Sequence, residues 1–278
     1  MKFEKIGTEA VVSLAVCAAL AIIVPIVIAL IWKKKKNEKI STILVGAATF
    51  LLFVIVLEKP IQNVLILPTA MGLQEHGLSR FINARPVLWA FLVGLFPGVF
   101  EETGRLVAYK TVLKNRKNRE TSISYGIGHG LFEVMFVIGA TFITYFVYAL
   151  MINSGTFGSV LDAVLAKAPD QADTIYSTVD QIRTASFGYV AVVMYERVFA
   201  VLYHIGASVL VFYACKDKKK FWLYPLAIVI HTILDGMLGL SMAGVIQLST
   251  FATEAIMTVV GSLTFFGAYF LLYKKDKQ

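Results

Sequence analysis

Seven long apolar runs constrain this chain more than any other feature of its sequence. They cover approximately residues 9–32, 40–58, 86–112, 121–150, 187–214, 221–246 and 251–273. A helix of about 20 apolar residues crosses a bilayer. Hydrophobic residues make up 58% of the chain, against about 45–50% in soluble domains. We therefore predict an all-α fold, a polytopic bundle of about seven transmembrane helices that forms a single membrane domain over residues 1–278.

Short basic clusters test this count and orient the bundle. KKKKNEK follows the first run, KNRKNRE the third, KDKKK the fifth and KKDK the seventh. With seven spans all four clusters lie on one side, and the positive-inside rule makes that side cytoplasmic. The pattern predicts an outer N-terminus and a cytoplasmic C-terminus in a bacterial plasma membrane. Because the net charge of +8 resides in these clusters, it indicates topology and a lipid bilayer partner, and it does not indicate nucleic-acid binding.

Two residue types outside this pattern have simple interpretations. Cys17 and Cys215 fall in or beside apolar runs, which predicts buried thiols with neither a disulfide nor metal-type spacing. His76 falls in the first outer loop and is expected to be an ordinary loop residue. Both types are therefore set aside as candidates for chemistry.

Ionisable residues interrupt four of the apolar runs. The third run carries Glu101, Glu102 and Arg105, the fourth His129 and Glu133, the fifth Glu196, Arg197 and His204, and the sixth His231 and Asp235. Most are spaced three or four residues apart, which places them on one helix face. At 1.5 Å per residue Arg105 and the three histidines lie about 10–17 Å from the cytoplasmic helix ends, and Glu101, Glu102, Glu133 and Asp235 lie about 15–20 Å from them. The spacing therefore predicts one polar layer shared by four helices.

Each element also has a simpler explanation when it is taken alone. Glu101 and Arg105 are typical of a structural ion pair, and His129 is typical of a hydrogen-bonding histidine. Purely structural burial of so many charged groups would be costly. We therefore interpret the layer as a functional site. Gly126 and Gly130 form a GxxxG pattern that predicts close approach of another helix beside His129.

The residue types in this layer suit two kinds of chemistry. One is hydrolysis, in which a carboxylate or a metal ion activates water and a histidine or cation stabilises the oxyanion. A catalytic zinc ion takes three ligands from His, Asp and Glu, but the HExxH spacing of soluble zinc proteases is absent. The other is a proton or ion relay, for which no inverted repeat is evident.

The segments EETGR at 101–105, YGIGH at 125–129, ER…H at 196–204 and HTILD at 231–235 resemble the YhfC family of intramembrane metalloproteases. More distantly, the chain is similar to the clan of CAAX prenyl proteases, bacteriocin-processing and bacteriocin-immunity proteins, and PrsW-type proteases. The resemblance covers residues 86–240, the expected catalytic core. It implies that Glu101 or Glu102 activates water with His129, and that His231 with Asp235 binds a metal or stabilises the oxyanion.

Two departures from the CAAX pattern accompany the resemblance. The chain has EExxR where that pattern has EExxxR, which leaves open which glutamate is the base. Glu133 and the set of Glu196, Arg197 and His204 have no counterpart there and are typical of the YhfC group. The resemblance does not settle whether a metal takes part.

The sequence therefore predicts an intramembrane metalloprotease that hydrolyses a peptide bond of a membrane protein or peptide. The predicted catalytic residues are Glu101, Glu102, Arg105, His129, Glu133, His231 and Asp235. The predicted zinc ligands are His129, His231 and Glu102, and the further candidates are Glu196, Arg197 and His204. Three other interpretations stay open: an immunity factor that sequesters a peptide, a small ion- or proton-coupled transporter, and a structural subunit.

Overall fold

The helices of the chain match the apolar runs of its sequence. The computed structural model describes residues 3–36, 38–166 and 171–276, and the regular structure in these ranges is entirely helical. Seven described helices are long and apolar enough to cross a membrane: Thr8–Lys36, Ile40–Ile66, Pro86–Lys110, Glu120–Ser154, Phe187–Lys216, Lys218–Met242 and Thr250–Tyr273. The all-α class and the seven spans are confirmed, and the protein is a multi-pass membrane protein. Its orientation stays a prediction; Asn37 and Lys277 of the basic clusters lie outside the described residues.

The second span differs most from its predicted bounds. The apolar run was expected to end at residue 58, but the helix continues to Ile66. It consists of an α-helix over Ile40–Phe50, a π-helix over Leu51–Glu58 and an α-helix over Lys59–Ile66. Pro60 does not break the span because it occupies the first turn of the last helix, where a missing N–H costs little. Glu58 therefore lies inside the span and not at its end.

The remaining helices complete the described chain. The fourth span contains a π-helix over Val134–Gly139, and the seventh ends in one over Tyr269–Tyr273. The sixth span opens with a 3₁₀ turn over Lys218–Lys220, and its α-helix runs over Leu223–Met242. Shorter helices outside the spans cover Pro68–Met71 (a 3₁₀ helix), Gly77–Asn83, Phe157–Leu165 and Ala172–Thr184. His76 caps one of them by accepting a hydrogen bond from the Ser79 amide at 3.2 Å, which agrees with an ordinary loop role.

The described residues divide into two compact units. Unit 1 comprises Met1–Val27 and Glu133–Arg197, and unit 2 comprises Ile28–Phe132 and Val198–Gln278. Each unit has its own apolar core. Cys17 is buried and Cys215 is half-buried, and both are free thiols as predicted.

Glycines bring the helices of unit 2 into close contact. Gly46 of the second span lies against the backbone of Tyr125 and His129, and Gly128 of the fourth span lies against the backbone of Ile43. A side chain at either glycine would meet backbone atoms, which cannot move aside as a flexible side chain can. The second and fourth spans therefore pack closely beside the backbone of His129.

Candidate active site

Six ionisable side chains from four spans form one buried group in unit 2. They are Glu101, Glu102, Arg105, His129, His204 and His231, and each residue is at most 5% exposed. We call this group the histidine cluster. Hydrogen bonds and ion pairs connect its members across the third, fourth, fifth and sixth spans. The predicted polar layer is confirmed for these six residues.

The predicted GxxxG pattern positions the fourth and fifth spans for this meeting. Gly126 lies against Ile205 and Ser208, and Gly130 lies against the Cβ of His204. As a result the rings of His129 and His204 stand with their centroids 5.1 Å apart. The prediction that this glycine pair admits another helix is confirmed.

Glu101 connects the histidines of three spans. Its Oε2 atom lies 2.8 Å from Nε2 of His129 and 3.7 Å from Nδ1 of His204. Its Oε1 atom lies 4.0 Å from Nε2 of His231. One carboxylate therefore faces three imidazoles at distances at which a cation or a proton can be shared.

Glu102 holds the other side of the cluster in place. Its Oε1 atom accepts hydrogen bonds from NH1 of Arg105 at 2.9 Å and from Nδ1 of His231 at 3.0 Å. A guanidinium that donates to a buried carboxylate keeps the carboxylate ionised. Because an ionised carboxylate only accepts hydrogen bonds, His231 carries a proton on Nδ1. Its Nε2 atom then faces Glu101 and Asp235, whose Oδ2 atom is 3.6 Å away.

Arg105 is fully buried and bonded through three nitrogens. Besides Glu102, it donates from Nε to Ser208 Oγ at 3.2 Å and from NH2 to Nδ1 of His204 at 2.8 Å. Ser208 in turn donates to the carbonyl of His204 at 2.6 Å. The guanidinium thereby fixes side-chain rotamers on two helices, and Ser208 has a structural role as its hydrogen-bond partner.

Aromatic rings close the walls of the cluster. Phe50 meets His129 edge-on at 5.3 Å, and Tyr203 lies 5.3 Å from His204 and 5.1 Å from His231. The Tyr203 hydroxyl is buried and has no hydrogen-bond partner among the described residues. These rings lower the local dielectric constant, and the Tyr203 hydroxyl is available as a hydrogen-bond donor to a bound molecule.

Three other predicted residues belong to a separate group in unit 1. Arg197 donates to Glu133 at 3.4 Å and also contacts Glu196. We call Glu133, Glu196 and Arg197 the arginine cluster. Its side chains are 16–24% exposed. Glu133 therefore pairs with Arg197, although it lies four residues from His129 along the same helix.

One group of metal-ligating side chains emerges from the described residues. Glu101, His129 and His204 can each offer a ligand atom, and these atoms all lie within 4.8 Å of one another. Of the predicted ligands only His129 is in this group, and Glu102 instead accepts hydrogen bonds from His231 and Arg105. Two histidines and a glutamate are a common ligand set for catalytic zinc.

The charges of the cluster also fit a divalent cation. Glu101 and Glu102 carry two negative charges when ionised, and Arg105 carries one positive charge. With neutral histidines one negative charge remains, and such an excess is costly in a buried region unless a proton or a cation neutralises it. The donor set and the charge thus suit zinc in the same place.

Sequence reasoning missed one buried acid of unit 2. Glu58 is fully buried in the second span and interacts electrostatically with Glu101 and His231. The apolar run ends at Lys59 and Pro60, which suggested the membrane boundary. A Pro that can sit in the first turn of a continuing helix was the available signal.

Comparisons with known proteins find similarity along most of the chain. A family described as the YhfC intramembrane metalloprotease matches residues 20–268. An uncharacterized membrane protein YhfC of Bacillus subtilis (strain 168) is 28% identical over 262 residues, which cover 93% of this chain and 95% of the relative. No solved structure matches the chain.

Proposed function

Since the chain belongs to the YhfC intramembrane metalloprotease family, we propose that it hydrolyses a peptide bond of a membrane protein or peptide within the bilayer. The observation that carries this proposal is the buried group of Glu101, His129 and His204 beside a histidine oriented by Glu102. A ligand set next to a positioned proton carrier is the arrangement that hydrolysis requires. The apolar surroundings restrict the substrate to a segment that enters the membrane.

In this proposal Glu101, His129 and His204 hold a zinc ion. When bound, the ion would supply Lewis-acid chemistry, which activates water and polarises the scissile carbonyl. Glu102 and Arg105 stay outside the ligand set and fix the helices that carry it. This second layer matters because groups that orient metal ligands tune both affinity and activity.

His231 moves the proton in the proposed reaction. Glu102 accepts from Nδ1, so the lone pair of the neutral ring lies on Nε2. That atom can take a proton from the attacking water and give it to the leaving amine nitrogen. Asp235, 3.6 Å from Nε2, stabilises the imidazolium between the two transfers.

Tyr203 supplies a hydrogen-bond donor to the developing oxyanion. Its buried hydroxyl has no acceptor among the described residues, and its ring is packed against His204 and His231. A fixed and buried donor stabilises negative charge more strongly than an exposed one.

A metal-free form of the same reaction is the second candidate. It is favoured by the hydrogen bond from Arg105 NH2 to Nδ1 of His204 at 2.8 Å, because this bond occupies a lone pair that a metal would need. In this form Glu101, bonded to His129 at 2.8 Å, takes the proton from water and gives it to the leaving amine nitrogen. The substrate is the same, Tyr203 keeps its role, and His129 orients Glu101.

The test is a comparison of peptide ends in membranes that contain the wild type, Glu101→Gln or Glu196→Gln. Peptide ends that appear with the wild type and Glu196→Gln, and are absent with Glu101→Gln, would identify the cleaved bonds. Identical sets of ends in all three membranes, with each protein present and folded, would overturn the proposed function.

A further inference from the structure

Glu58 is the buried acid that the mechanism above does not use. Its residue is 0% exposed. Its Oε1 atom accepts a hydrogen bond from Lys59 Nζ at 3.0 Å, while Oε2 is buried and has no partner among the described residues. The Lys59 side chain is half exposed, so it neutralises Glu58 only in part. A carboxylate in this state needs a cation or a donor nearby.

The shape of the second span aims Glu58 at its neighbours. In the C-terminal part of this span every fourth residue is buried: Phe50, Val54, Glu58, Gln62 and Ile66. Glu58 ends the π-helix and stands on this stripe between apolar and amide side chains. Wide π turns interrupt α-helices most often at functional sites. An acid in the middle of a buried stripe is not a surface residue that extends its charged group towards water.

Two contacts fix the level of Glu58 along the third span. Gly104 packs against Thr49 and Phe53, and Gln62 donates to the Val93 carbonyl at 3.4 Å. The two helices therefore run antiparallel. Because Glu58 is one turn from Gln62, it faces the third span about one turn before Glu101.

The position of Glu58 indicates what its charge can do. It faces the third span about one turn from Glu101, where Glu101 and Glu102 already place two buried carboxylates. When ionised it adds a third negative charge, which is unfavourable unless a cation lies close by. Next to a site with an unbalanced negative charge, it raises the attraction for a divalent ion further.

We propose that Glu58 is a positioning residue of the zinc site, whose buried negative charge strengthens the binding of a divalent cation at Glu101, His129 and His204. This inference rests on the proposed function. Glu58 acts through the field at the ligands and not as a ligand. The charge of the Glu58 side chain, and not its shape, produces this effect on cation binding.

The experiment measures the dissociation constant of Zn²⁺ for the full chain in detergent, by competition with a coloured chelator. Glu58→Gln keeps the size and removes the charge, and it should weaken binding about 10- to 100-fold, as substitutions outside the ligand shell do. Glu58→Asp keeps the charge and should bind nearly as tightly as the wild type. Ile66→Val, two turns along the same stripe, is the matched control and should leave the affinity unchanged.

A second variant keeps the test decisive if Glu58→Gln does not fold. Glu58→Met also removes the charge and suits the apolar members of the stripe, so it should weaken Zn²⁺ binding as Glu58→Gln does. An affinity equal to that of the wild type in either folded variant, or weakening by Glu58→Asp as large as that by Glu58→Gln, would overturn the inference. Equal weakening by Ile66→Val would also overturn it.

His129→Ala separates this inference from the proposed function. If the wild type binds Zn²⁺ and His129→Ala does not, the ligand set stands whatever Glu58 does. If the wild type and His129→Ala bind Zn²⁺ equally, or if neither binds it, the assignment of the ligands is wrong. The proposed role of Glu58 is then wrong as well.

Discussion

The histidine cluster of unit 2 and the arginine cluster of unit 1 satisfy the same sequence rule in different ways. Both consist of ionisable residues inside membrane spans, which are functional candidates by default. The arginine cluster has two carboxylates around one guanidinium, and its side chains are 16–24% exposed. The histidine cluster has side chains at most 7% exposed. It also contains three imidazoles that can bind a metal or carry a proton.

This difference shows which feature separates a structural group from a chemical one. An arginine with carboxylates neutralises charge but offers neither a titratable ring nor a ligand set. The histidine cluster has the same two carboxylates and one guanidinium, and it adds three buried imidazoles that supply titratable rings and a ligand set. We expect substitutions in the arginine cluster to change stability alone. Substitutions in the histidine cluster should change metal binding and cleavage.

The largest expected effect is on cleavage by His231→Phe. The substitution keeps an aromatic ring against Tyr203 and removes the proposed proton carrier. The yield of the peptide ends that depend on Glu101 should fall about 10²- to 10⁴-fold, while the zinc content stays that of the wild type. Unchanged cleavage would show that another group moves the proton.

Next comes the stability of Arg105→Met. Removing a buried guanidinium leaves Glu102 as an uncompensated buried charge and costs about 3–5 kcal/mol of unfolding free energy. Ser208 and His204 lose their partner at the same time. Chemical unfolding in detergent measures the loss, and a cost below that of Arg197→Met would contradict the contrast between the clusters.

Helix approach can be tested at Gly128, which lies against the Ile43 backbone. Gly128→Ala should cost about 1–3 kcal/mol because of overpacking. Gly267→Ala is the matched control, since nothing lies within 4 Å of a Cβ added at Gly267, and alanine favours a helix over glycine. Equal stability of the two variants would mean that close packing beside His129 is not required.

Arg197→Met should have a smaller effect. The Arg197 side chain is 16% exposed and contacts two carboxylates, whereas Arg105 is fully buried and bonded to Glu102, Ser208 and His204. The unfolding free energy should therefore fall by less than in Arg105→Met. The affinity for Zn²⁺ should remain that of the wild type. A loss of zinc in Arg197→Met would remove the distinction between the clusters.

The smallest effect concerns pH and the C-terminal segment. Burial opposes the charged form of Asp276, but hydrogen bonds from Lys216 at 2.6 Å and Tyr213 at 2.8 Å outweigh it and hold the pKa of Asp276 below its ordinary value of 3.8. A lowered pKa stabilises the fold above that ordinary value, and the gain disappears as the pH falls below it. Asp276→Asn should therefore be less stable than the wild type at pH 7, by about 1 kcal/mol or less, and equally stable near pH 2. A difference that persists at low pH would contradict this role.

The sequence could predict the spans and the polar layer because both depend on composition and spacing. Apolar runs of sufficient length define membrane helices, and the rise per residue places His129 and His231 near Glu101. The spacing could not predict which of these side chains form hydrogen bonds with each other. Glu101 bonds His129 while Glu102 bonds His231, and this choice depends on how each helix is rotated about its axis.

Two further features also depend on packing. His204 joins the ligand group because Gly130 admits the fifth span. Glu133 shares a helix face with His129 but reaches Arg197 instead, since a long side chain selects among several neighbours. Helical spacing identifies a face, and only the packed structure identifies the contact.

The most direct test of the central claim is the zinc content of the purified chain by mass spectrometry, beside variants of each histidine. The account predicts about one zinc ion per chain in the wild type, its loss in His129→Ala and His204→Ala, and its retention in His231→Ala and Arg197→Met. Absence of zinc from a folded wild type, or its loss in His231→Ala with retention in His204→Ala, would contradict the assignment of Glu101, His129 and His204 as the metal site.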